Sequence, residues 1–292
     1  MTRAGFVALA GRPNVGKSTL VNALVGRKVA ITSDKPQTTR RAIRGVSTGA
    51  ETQLVLVDLP GVQRPRDALT QRMQHRVEAE LSESDAALLV LNGEEGVGPG
   101  DRFIAGLLTR SPVPVVVAVN KLDRLDRART LEVLTAAAEL GVGDDVFPLS
   151  ARTGSGVTAL HEHLATLVPE SPFFYPPEDP SDQPESVLLA ELVREQVLRR
   201  TFQEVPHAVE VMVDDVERLD DLTRVRALVW VETESQKGIL IGTGGRMVKQ
   251  IGTAARRELE RELGTRVHLD LSVRVRRGWR ADERLLDRLG IE

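Results

Sequence analysis

The stretch Gly11–Ser18 reads GRPNVGKS and matches the pattern G-x-x-x-x-G-K-[ST]. It follows the apolar run Phe6–Ala10 and precedes a helical stretch, Thr19–Val25. Glycines let the backbone wrap closely enough for its N–H groups to point at phosphate oxygens. The lysine adds a point charge, the serine a hydroxyl for Mg²⁺, and the helix N-terminus a favourable dipole. We therefore predict a strand, phosphate loop and helix that bind a nucleoside triphosphate.

The residues of this phosphate loop are all expected to lie against the nucleotide. In chain order they are Gly11, Arg12, Pro13, Asn14, Val15, Gly16, Lys17, Ser18 and Thr19. Lys17 is expected to act on the outer phosphates and Ser18 to bind the metal.

The base that this site accepts is indicated by Asn120-Lys121-Leu122-Asp123, an N-K-x-D loop after the apolar run Pro114–Val119. The carboxylate of Asp123 can accept hydrogen bonds from guanine N1–H and from its 2-amino group. Adenine offers neither donor, and leaving a buried charge unpaired rejects it strongly. We expect Asn120 to tie this loop to the phosphate loop, and the stem of Lys121 to cover one face of the base. The site is therefore predicted to select GTP over ATP.

Two further short motifs each follow a predicted strand. Leu54–Val57 leads into a D-x-x-G motif, and Val146–Leu149 leads into an S-A motif. The D-x-x-G carboxylate is expected near Mg²⁺, its glycine N–H near the terminal phosphate, and an N–H of the S-A motif near the guanine carbonyl. A doubly wound sheet places ligands at the carboxyl ends of its strands, as this order requires. The expected contact residues are Asp58, Leu59, Pro60 and Gly61, followed by Ser150, Ala151 and Arg152.

Between the phosphate loop and the D-x-x-G motif lies a polar segment, Pro36–Arg40, which reads PQTTR and is called the switch loop below. It carries two candidate Mg²⁺-binding threonines, Thr38 and Thr39. Together with G-x-P-N-V-G-K-S, the T-T-R sequence resembles the Era family of bacterial GTPases. That resemblance favours Thr39 as the metal ligand, with Thr38 as the alternative, and it extends from Gly5 to Gly290.

Length and composition agree with two domains. The chain has 292 residues, which is enough for two separate cores. It has no cysteine, no apolar run of membrane-spanning length and no signal-peptide pattern at its N-terminus, so we expect a cytoplasmic protein. Its net charge of −3 excludes a generally basic nucleic-acid binder, so any RNA site must be local.

The boundary between the domains is predicted in residues 169–184, where six of sixteen residues are proline. Such a segment is extended and semi-rigid. Its aromatic residues Phe173, Phe174 and Tyr175 are expected to pin it onto one domain. We therefore predict a GTP-binding domain over 1–168, a linker over 169–184, and a second domain over 185–292.

The second domain carries the pattern of a type II KH domain. A helix is predicted over 185–201, strands over 208–213 and 226–233, a glycine loop, a helix over 247–263 and a strand over 267–275. Its G-x-x-G motif would let an RNA strand pass close to the backbone. Residues 237–280 hold 11 Lys and Arg against 4 Asp and Glu, which favours a phosphate-facing patch. The predicted RNA-binding residues are Lys237, Gly242, Thr243, Gly244, Gly245, Arg246, Lys249, Arg274, Arg276 and Arg277.

The predicted fold class is thus an α/β P-loop GTPase domain with a doubly wound, mostly parallel sheet, followed by an α+β type II KH domain. The resemblance implies a monomeric GTPase that binds 16S ribosomal RNA near its 3′ end during small-subunit assembly, with Mg²⁺ as cofactor. It leaves open a K⁺ ion held by Asn14 and a peripheral contact with the cytoplasmic face of the cell membrane. Two rival classes are a GTPase whose second half binds protein or lipid, and a nucleotide-dependent RNA-modifying enzyme.

Three positions depart from the family pattern. Leu59 stands where threonine is usual, Thr243-Gly244 places no charge inside the clamp, and Pro36 is expected to stiffen the switch loop. Many small GTPases have a glutamine directly after D-x-x-G to orient the attacking water. Here that position is Val62, so we predict slow intrinsic turnover in which Lys17, Thr39, Gly61 and Asn14 act by position and charge.

Overall fold

The computed structural model describes residues 1–35, 37–62, 68–143, 145–203, 205–289 and 291. Pro36, which was expected to stiffen the switch loop, lies outside these ranges. No helix in the described ranges is both long and apolar enough to cross a membrane.

The first domain is built on a six-stranded sheet in the order β2-β3-β1-β4-β5-β6. All neighbouring strands are parallel except β2, which pairs antiparallel with β3. The inner strands are continuous apolar runs, since both faces of a parallel sheet are covered. The strands are β1 Arg3–Ala10, β2 Ile43–Thr48, β3 Thr52–Asp58, β4 Ala86–Asn92, β5 Val115–Asn120 and β6 Val146–Pro148.

Helices cover both faces of this sheet. The helices are α1 Lys17–Val25, α2 Ala68–Glu83, α3 Pro99–Leu108, α4 Arg127–Ala138 and α5 Val157–Leu167. One core lies under α1 and α5, with Leu20 and Leu164 fully buried. The other lies under α2, α3 and α4, with Val77, Ile104 and Val133 buried. The predicted doubly wound P-loop domain is confirmed.

The second domain has a three-stranded sheet in the order β7-β8-β9, covered by helices on one face. β7 and β8 are antiparallel, whereas β8 and β9 are parallel, as a type II KH domain requires. The elements are α6 Glu185–Leu198, α7 Val205–Ala208, β7 Glu210–Arg218, β8 Leu222–Val231, α8 Glu234–Ile241, α9 Arg246–Leu263, β9 Arg266–Val275 and α10 Glu283–Arg288.

The β7–β8 hairpin is longer than the sequence predicted. The strands expected over 208–213 and 226–233 continue to Arg218 and start from Leu222, respectively. Charged residues on the exposed face interrupt the apolar pattern there, while Val216 and Val225 still pack against the core. The alternation of inward and outward side chains continues to the tip of the hairpin. Too few of the inward side chains there are apolar for the pattern to indicate a strand.

The linker, residues 169–184, runs along the first domain. The Phe174 ring packs on Phe6 with centroids 5.2 Å apart. The Gln53 side chain accepts hydrogen bonds from the backbone N–H groups of Phe174 and Tyr175. Ser181 pairs with Gly45 as an isolated bridge at the edge of the sheet. The aromatic part of the linker therefore packs on the first domain.

Candidate nucleotide site and nucleic-acid surface

The phosphate loop connects the carboxyl end of β1 to the first turn of α1. Gly16 adopts φ 99°, a left-handed conformation, and a Cβ at this position would clash with the side-chain amide of Asn120. Only glycine therefore lets the phosphate loop and the N-K-x-D loop approach each other here. A cavity opens above the loop and is bounded by Asn14, Gly16 to Thr19, Gln37 to Thr39 and Gly61.

Lys17 is buried at the base of this cavity. Its ammonium donates to the carbonyls of Gly11 and Arg12, at 3.1 Å each. Burial lowers its pKa to about 8, although the charge of Asp58 opposes this shift. A desolvated cation held in this way gains strongly from an anion placed beside it, which suits a bound phosphate.

Three oxygen groups meet beside Lys17. Ser18 Oγ lies 2.6 Å from Asp58 Oδ2 and 3.0 Å from Thr39 Oγ1, and Thr39 Oγ1 lies 3.2 Å from Asp58 Oδ2. Burial raises the pKa of Asp58 against the opposing effects of Lys17 and both hydroxyls, and its Oδ1 is buried without a hydrogen-bond partner. Hard oxygen ligands around an unsatisfied carboxylate suit Mg²⁺, which prefers such donors.

The two switch-loop threonines face different partners. Thr38 Oγ1 donates to the Lys35 carbonyl at 2.6 Å, whereas Thr39 Oγ1 joins Ser18 and Asp58. This geometry favours Thr39 over Thr38 as the metal ligand.

The N-K-x-D loop is tied to both neighbouring loops. Asn120 donates to the Val15 carbonyl at 3.0 Å and accepts from the Ala151 N–H at 2.9 Å. The Lys121 ammonium donates to the Asn14 carbonyl at 2.7 Å. Ser150 Oγ donates to Asp123 Oδ1 at 2.7 Å, which orients the carboxylate expected to recognise guanine. The groups that would contact base and phosphates are thus held in one connected arrangement.

Some predicted contact residues face away from the cavity. Arg12 pairs with Asp101 at 2.9 Å and Glu95 at 3.0 Å, so its side chain anchors α3. Leu59 is fully buried in the core under α2, α3 and α4, which leaves only its backbone for the nucleotide. Arg152 is exposed. These three side chains are the weakest of the proposed nucleotide contacts.

Gly61 and Asn14 both line the cavity above the phosphate loop. A Cβ on Gly61 would lie 2.7 Å from Pro13 Cγ, so the D-x-x-G motif packs directly on the phosphate loop. Asn14 adopts φ 64°, and its amide donates to the Asp34 carbonyl at 2.7 Å.

The G-x-x-G motif lies between α8 and α9. Gly242 has φ 69°, and a Cβ there would lie 2.8 Å from Met247 Cβ. Gly244 and Gly245 also have positive φ, but a Cβ on either would meet open space. The clamp therefore presents bare backbone to solvent, with room for a nucleic-acid strand.

A groove lies between α9 and β9, which is an edge strand of the three-stranded sheet that the structure describes. Lys249, Gly252 and Arg256 line its helical side, and His268 and Asp270 its strand side. Except for Lys249, these residues were not predicted to line an RNA site. The regular alternation of β9 could have indicated His268 and Asp270, because it marks which side chains share a face.

Lys249 is the predicted cation that lines this groove, and the others lie elsewhere on the second domain. Arg246 and Lys249 start α9 on its exposed face, and Lys237 is half-buried on α8. Arg274 and Arg277 are exposed near the end of β9. Arg276 lies 3.7 Å from Asp282.

This phosphate loop, with its oxygen ligands and its tethered N-K-x-D loop, defines a P-loop GTPase domain, here followed by a KH domain. The model of the 50S ribosome-binding GTPase family matches residues 6–121, and that of the KH domain matches residues 204–280. The chain is 46% identical over 295 residues to GTPase Era of Mycobacterium sp. (strain KMS), covering 99% of this chain and 98% of the relative. It therefore belongs to the Era family of GTPases, which confirms the predicted resemblance and GTPase activity.

Other relatives and solved structures agree. GTPase Era of Mycobacterium tuberculosis (strain ATCC 25177 / H37Ra) is also 46% identical, with 98% of each chain covered. A structure of Era in complex with MgGDPNP and nucleotides 1506–1542 of 16S ribosomal RNA matches with TM-score 0.95 and 32% identity, covering 100% of this chain and 99% of that one. A variant of Aquifex aeolicus Era bound to GDP and AlF4⁻ matches with TM-score 0.94 and 33% identity, covering 99% of each chain.

Proposed function

We propose that this GTPase is a slow switch whose KH groove binds small-subunit ribosomal RNA near its 3′ end during assembly of the small subunit. The observation that carries the proposal is the exposed backbone of the Gly242–Gly245 clamp, with Arg246 and Lys249 beside it. Neither cation forms an ion pair within the described ranges, so both are available to phosphates. The solved relative bound to 16S nucleotides 1506–1542 resembles the chain over its full length, which supports this target.

Catalysis is proposed to rest on position and charge. Lys17 is held by two backbone carbonyls where it would bind the outer phosphates, and the Gly61 N–H would donate to the terminal phosphate. Val62, the residue that follows, is buried in the core and has no polar side-chain atom to orient water. We therefore expect slow turnover by the free protein, and faster turnover when RNA or a ribosomal partner orders the switch loop.

Mg²⁺ fits the oxygen groups of Ser18, Thr39 and Asp58, and the relative bound to MgGDPNP supports it. When bound, the ion would neutralise charge that develops on the phosphate oxygens. Asp58 supplies a carboxylate already desolvated and partly unsatisfied. The two hydroxyls come from α1 and the switch loop, so metal binding would join these elements.

We also propose that Asn14 supports a K⁺ ion beside the phosphates. Its amide nitrogen is used by the Asp34 carbonyl, which leaves its amide oxygen to act as a ligand. A monovalent cation at this point would stabilise negative charge as an arginine finger does.

We propose a cytoplasmic location from the composition of the sequence, and a monomeric state and peripheral contact with the membrane from the family resemblance. Sedimentation equilibrium measures the mass of the free protein, and flotation with vesicles of mixed anionic and neutral lipids tests membrane contact. Retention on vesicles at physiological salt would favour contact, whereas complete separation would exclude it.

The direct test of the proposed function uses the intact chain with Mg²⁺ and a non-hydrolysable GTP analogue. Fluorescence anisotropy measures its affinity for an RNA covering the last 40 or so nucleotides of 16S ribosomal RNA, and for a shuffled RNA of the same composition. We expect tighter binding to the ribosomal sequence, with affinity falling as salt rises. Equal affinity for both RNAs, or no salt dependence, would favour the rival in which this domain binds protein or lipid.

A further inference from the structure

The connection from α1 to β2 covers residues 26–42. Its described residues on both sides of position 36 pack against the second domain as well as against their own. Ile31 is buried in the hydrophobic core of the KH domain. Lys28 pairs with Glu195 on α6 at 2.7 Å, and the Thr32 N–H donates to the same carboxylate at 2.9 Å. The part of the connection before the switch loop is thus anchored to α6.

The same is true directly after Thr39. The Arg40 guanidinium is fully buried, pairs with Glu210 at 2.7 Å and donates to the carbonyl of His207 at 3.0 Å. Arg41 pairs with Glu191 at 2.8 Å and with Glu210 at 3.3 Å. Both arginines therefore end on the KH domain.

Arg194 of α6 joins these two anchors at the switch loop itself. Its guanidinium is fully buried, and Nη2 donates to the backbone carbonyl of Thr38. Glu191 holds the same guanidinium in two hydrogen bonds, at 3.0 Å to Nε and 2.6 Å to Nη2. Paired in this way, Arg194 presents a fixed donor to the residue preceding Thr39.

We infer that Arg194 is a positioning residue for GTP hydrolysis, which acts by holding the Thr38 carbonyl so that the Thr39 hydroxyl stays beside Ser18 and Asp58. The inference rests on the proposed role of Thr39 as metal ligand. In its own domain, Thr39 makes side-chain hydrogen bonds to Ser18 and Asp58, and the backbone carbonyl that precedes it accepts from Arg194 of the second domain. A carbonyl held one residue away limits the positions that the hydroxyl can adopt.

In this arrangement, a KH-domain residue limits the position of a proposed metal ligand in the GTPase site. In GTPases, contacts with the terminal phosphate and Mg²⁺ order the switch loops, and the loops are released when GTP is hydrolysed. Binding of GTP would therefore favour the domain arrangement in which Arg194 reaches Thr38. By linkage, any ligand of the KH domain that favours this arrangement would strengthen GTP and Mg²⁺ binding by the same factor.

The test compares Arg194→Met and Arg194→Lys with wild type in the full chain. Removing this guanidinium leaves Glu191 paired with Arg41. Arg218→Met is the control. Arg218 ends β7, and it forms an exposed ion pair with Glu185, which lies on the same helix as Arg194. The measurements are single-turnover GTP hydrolysis, the Mg²⁺ concentration for half-maximal turnover, and GDP affinity. A fourth protein, Thr39→Ala, is combined with Arg194→Met in a double-mutant cycle.

We expect Arg194→Met to slow hydrolysis roughly tenfold and to raise the Mg²⁺ requirement, with GDP affinity and the control variant unchanged. Arg194→Lys should recover little, because an ammonium cannot hold Glu191 and Thr38 in the same fork. With Thr39 already replaced by alanine, Arg194→Met should cause no further loss.

Unchanged hydrolysis in Arg194→Met, a parallel fall in GDP affinity, or additive losses in the double mutant would overturn the inference. If Thr39→Ala alone hydrolyses GTP at the wild-type rate, the proposed metal role of Thr39 fails as well. A slow Thr39→Ala protein with normal Arg194→Met would reject the positioning role alone.

Discussion

Arg40 Nη1 lies 2.7 Å from Glu210 Oε2, and both side chains are fully buried between the two domains. Burial alone would raise the pKa of Glu210, but Arg41, Arg40 and Arg194 outweigh it and lower that pKa to about 2. Breaking such a pair leaves a buried charge without compensation, which is strongly destabilising. The domain interface therefore depends on an ionised Glu210.

Acid should weaken this interface in a defined range. Because the folded pKa of Glu210 lies below its ordinary value of 4.5, its stabilising effect is complete above that value. The effect is lost as pH falls towards about 2. We predict that Glu210→Gln is less stable than wild type by on the order of 3 kcal/mol at pH 7, and that the difference shrinks over this range.

Urea unfolding followed by the fluorescence of Trp230 and Trp279 measures this difference, since both rings lie in the core that includes α10. Glu185→Gln is the control, because that carboxylate is exposed and pairs with Arg218. A stability difference that stays constant from pH 7 to pH 2.5 would contradict the assignment to Glu210.

Base selection is predicted to depend on Asp123. Asp123→Asn should lower GTP affinity on the order of a hundredfold or more and shift preference towards xanthine nucleotides, because an amide donates where the carboxylate accepted. Competition binding with GTP and XTP measures the change. Asp126→Asn is the control, since that residue caps α4 three positions further along. Unchanged GTP affinity in Asp123→Asn would remove Asp123 from the site.

Local sequence predicted the nucleotide motifs and their supporting strands well, because each motif is a short pattern at the end of an apolar run. It did not predict the partners of Arg12, Arg40 or Arg194. Glu210 lies 170 residues from Arg40, and Thr38 lies 156 residues from Arg194. Local periodicity carries no information on contacts between residues that are far apart in the chain. Which individual residues contact the nucleotide and the RNA stays a prediction.

RNA binding is predicted to be weakened by an acidic side chain on the Gly242–Gly245 clamp. Gly244→Asp should weaken RNA binding at least roughly tenfold through repulsion of phosphate, with GTP affinity unchanged. Gly264→Asp is a matched control at the far end of α9. Its φ is 66° against 60° at Gly244, and a Cβ at either position meets open space. Electrophoretic mobility shifts with the 16S fragment measure both variants, and equal affinities would exclude the clamp as the contact.

Monovalent cations are predicted to change the rate of hydrolysis. Turnover should be several-fold faster in K⁺ than in Na⁺, and Asn14→Ala should abolish this difference. Phosphate release in matched chloride salts, with and without RNA, measures it. Gln74→Ala is the control, because Gln74 lies on α2 and its side chain makes an exposed hydrogen bond to Glu78. Asn22 is not used, because its side chain accepts hydrogen bonds from the backbone N–H groups of Val29 and Ala30.

K⁺ stimulation that persists in Asn14→Ala would reject the residue but keep the ion. Fast turnover by the free wild-type protein in Na⁺ would reject both the ion and the prediction of a slow intrinsic rate.

The GTP-bound protein is proposed to engage the 3′ end of small-subunit ribosomal RNA in cells. The decisive measurement is crosslinking in cells followed by sequencing of the attached RNA, with wild type and Gly244→Asp. We predict that reads from wild type concentrate at the 3′ end of 16S ribosomal RNA and that the variant loses this enrichment. Reads spread evenly over cellular RNA, or concentrated elsewhere to the same extent in both proteins, would show that the protein does not engage this RNA.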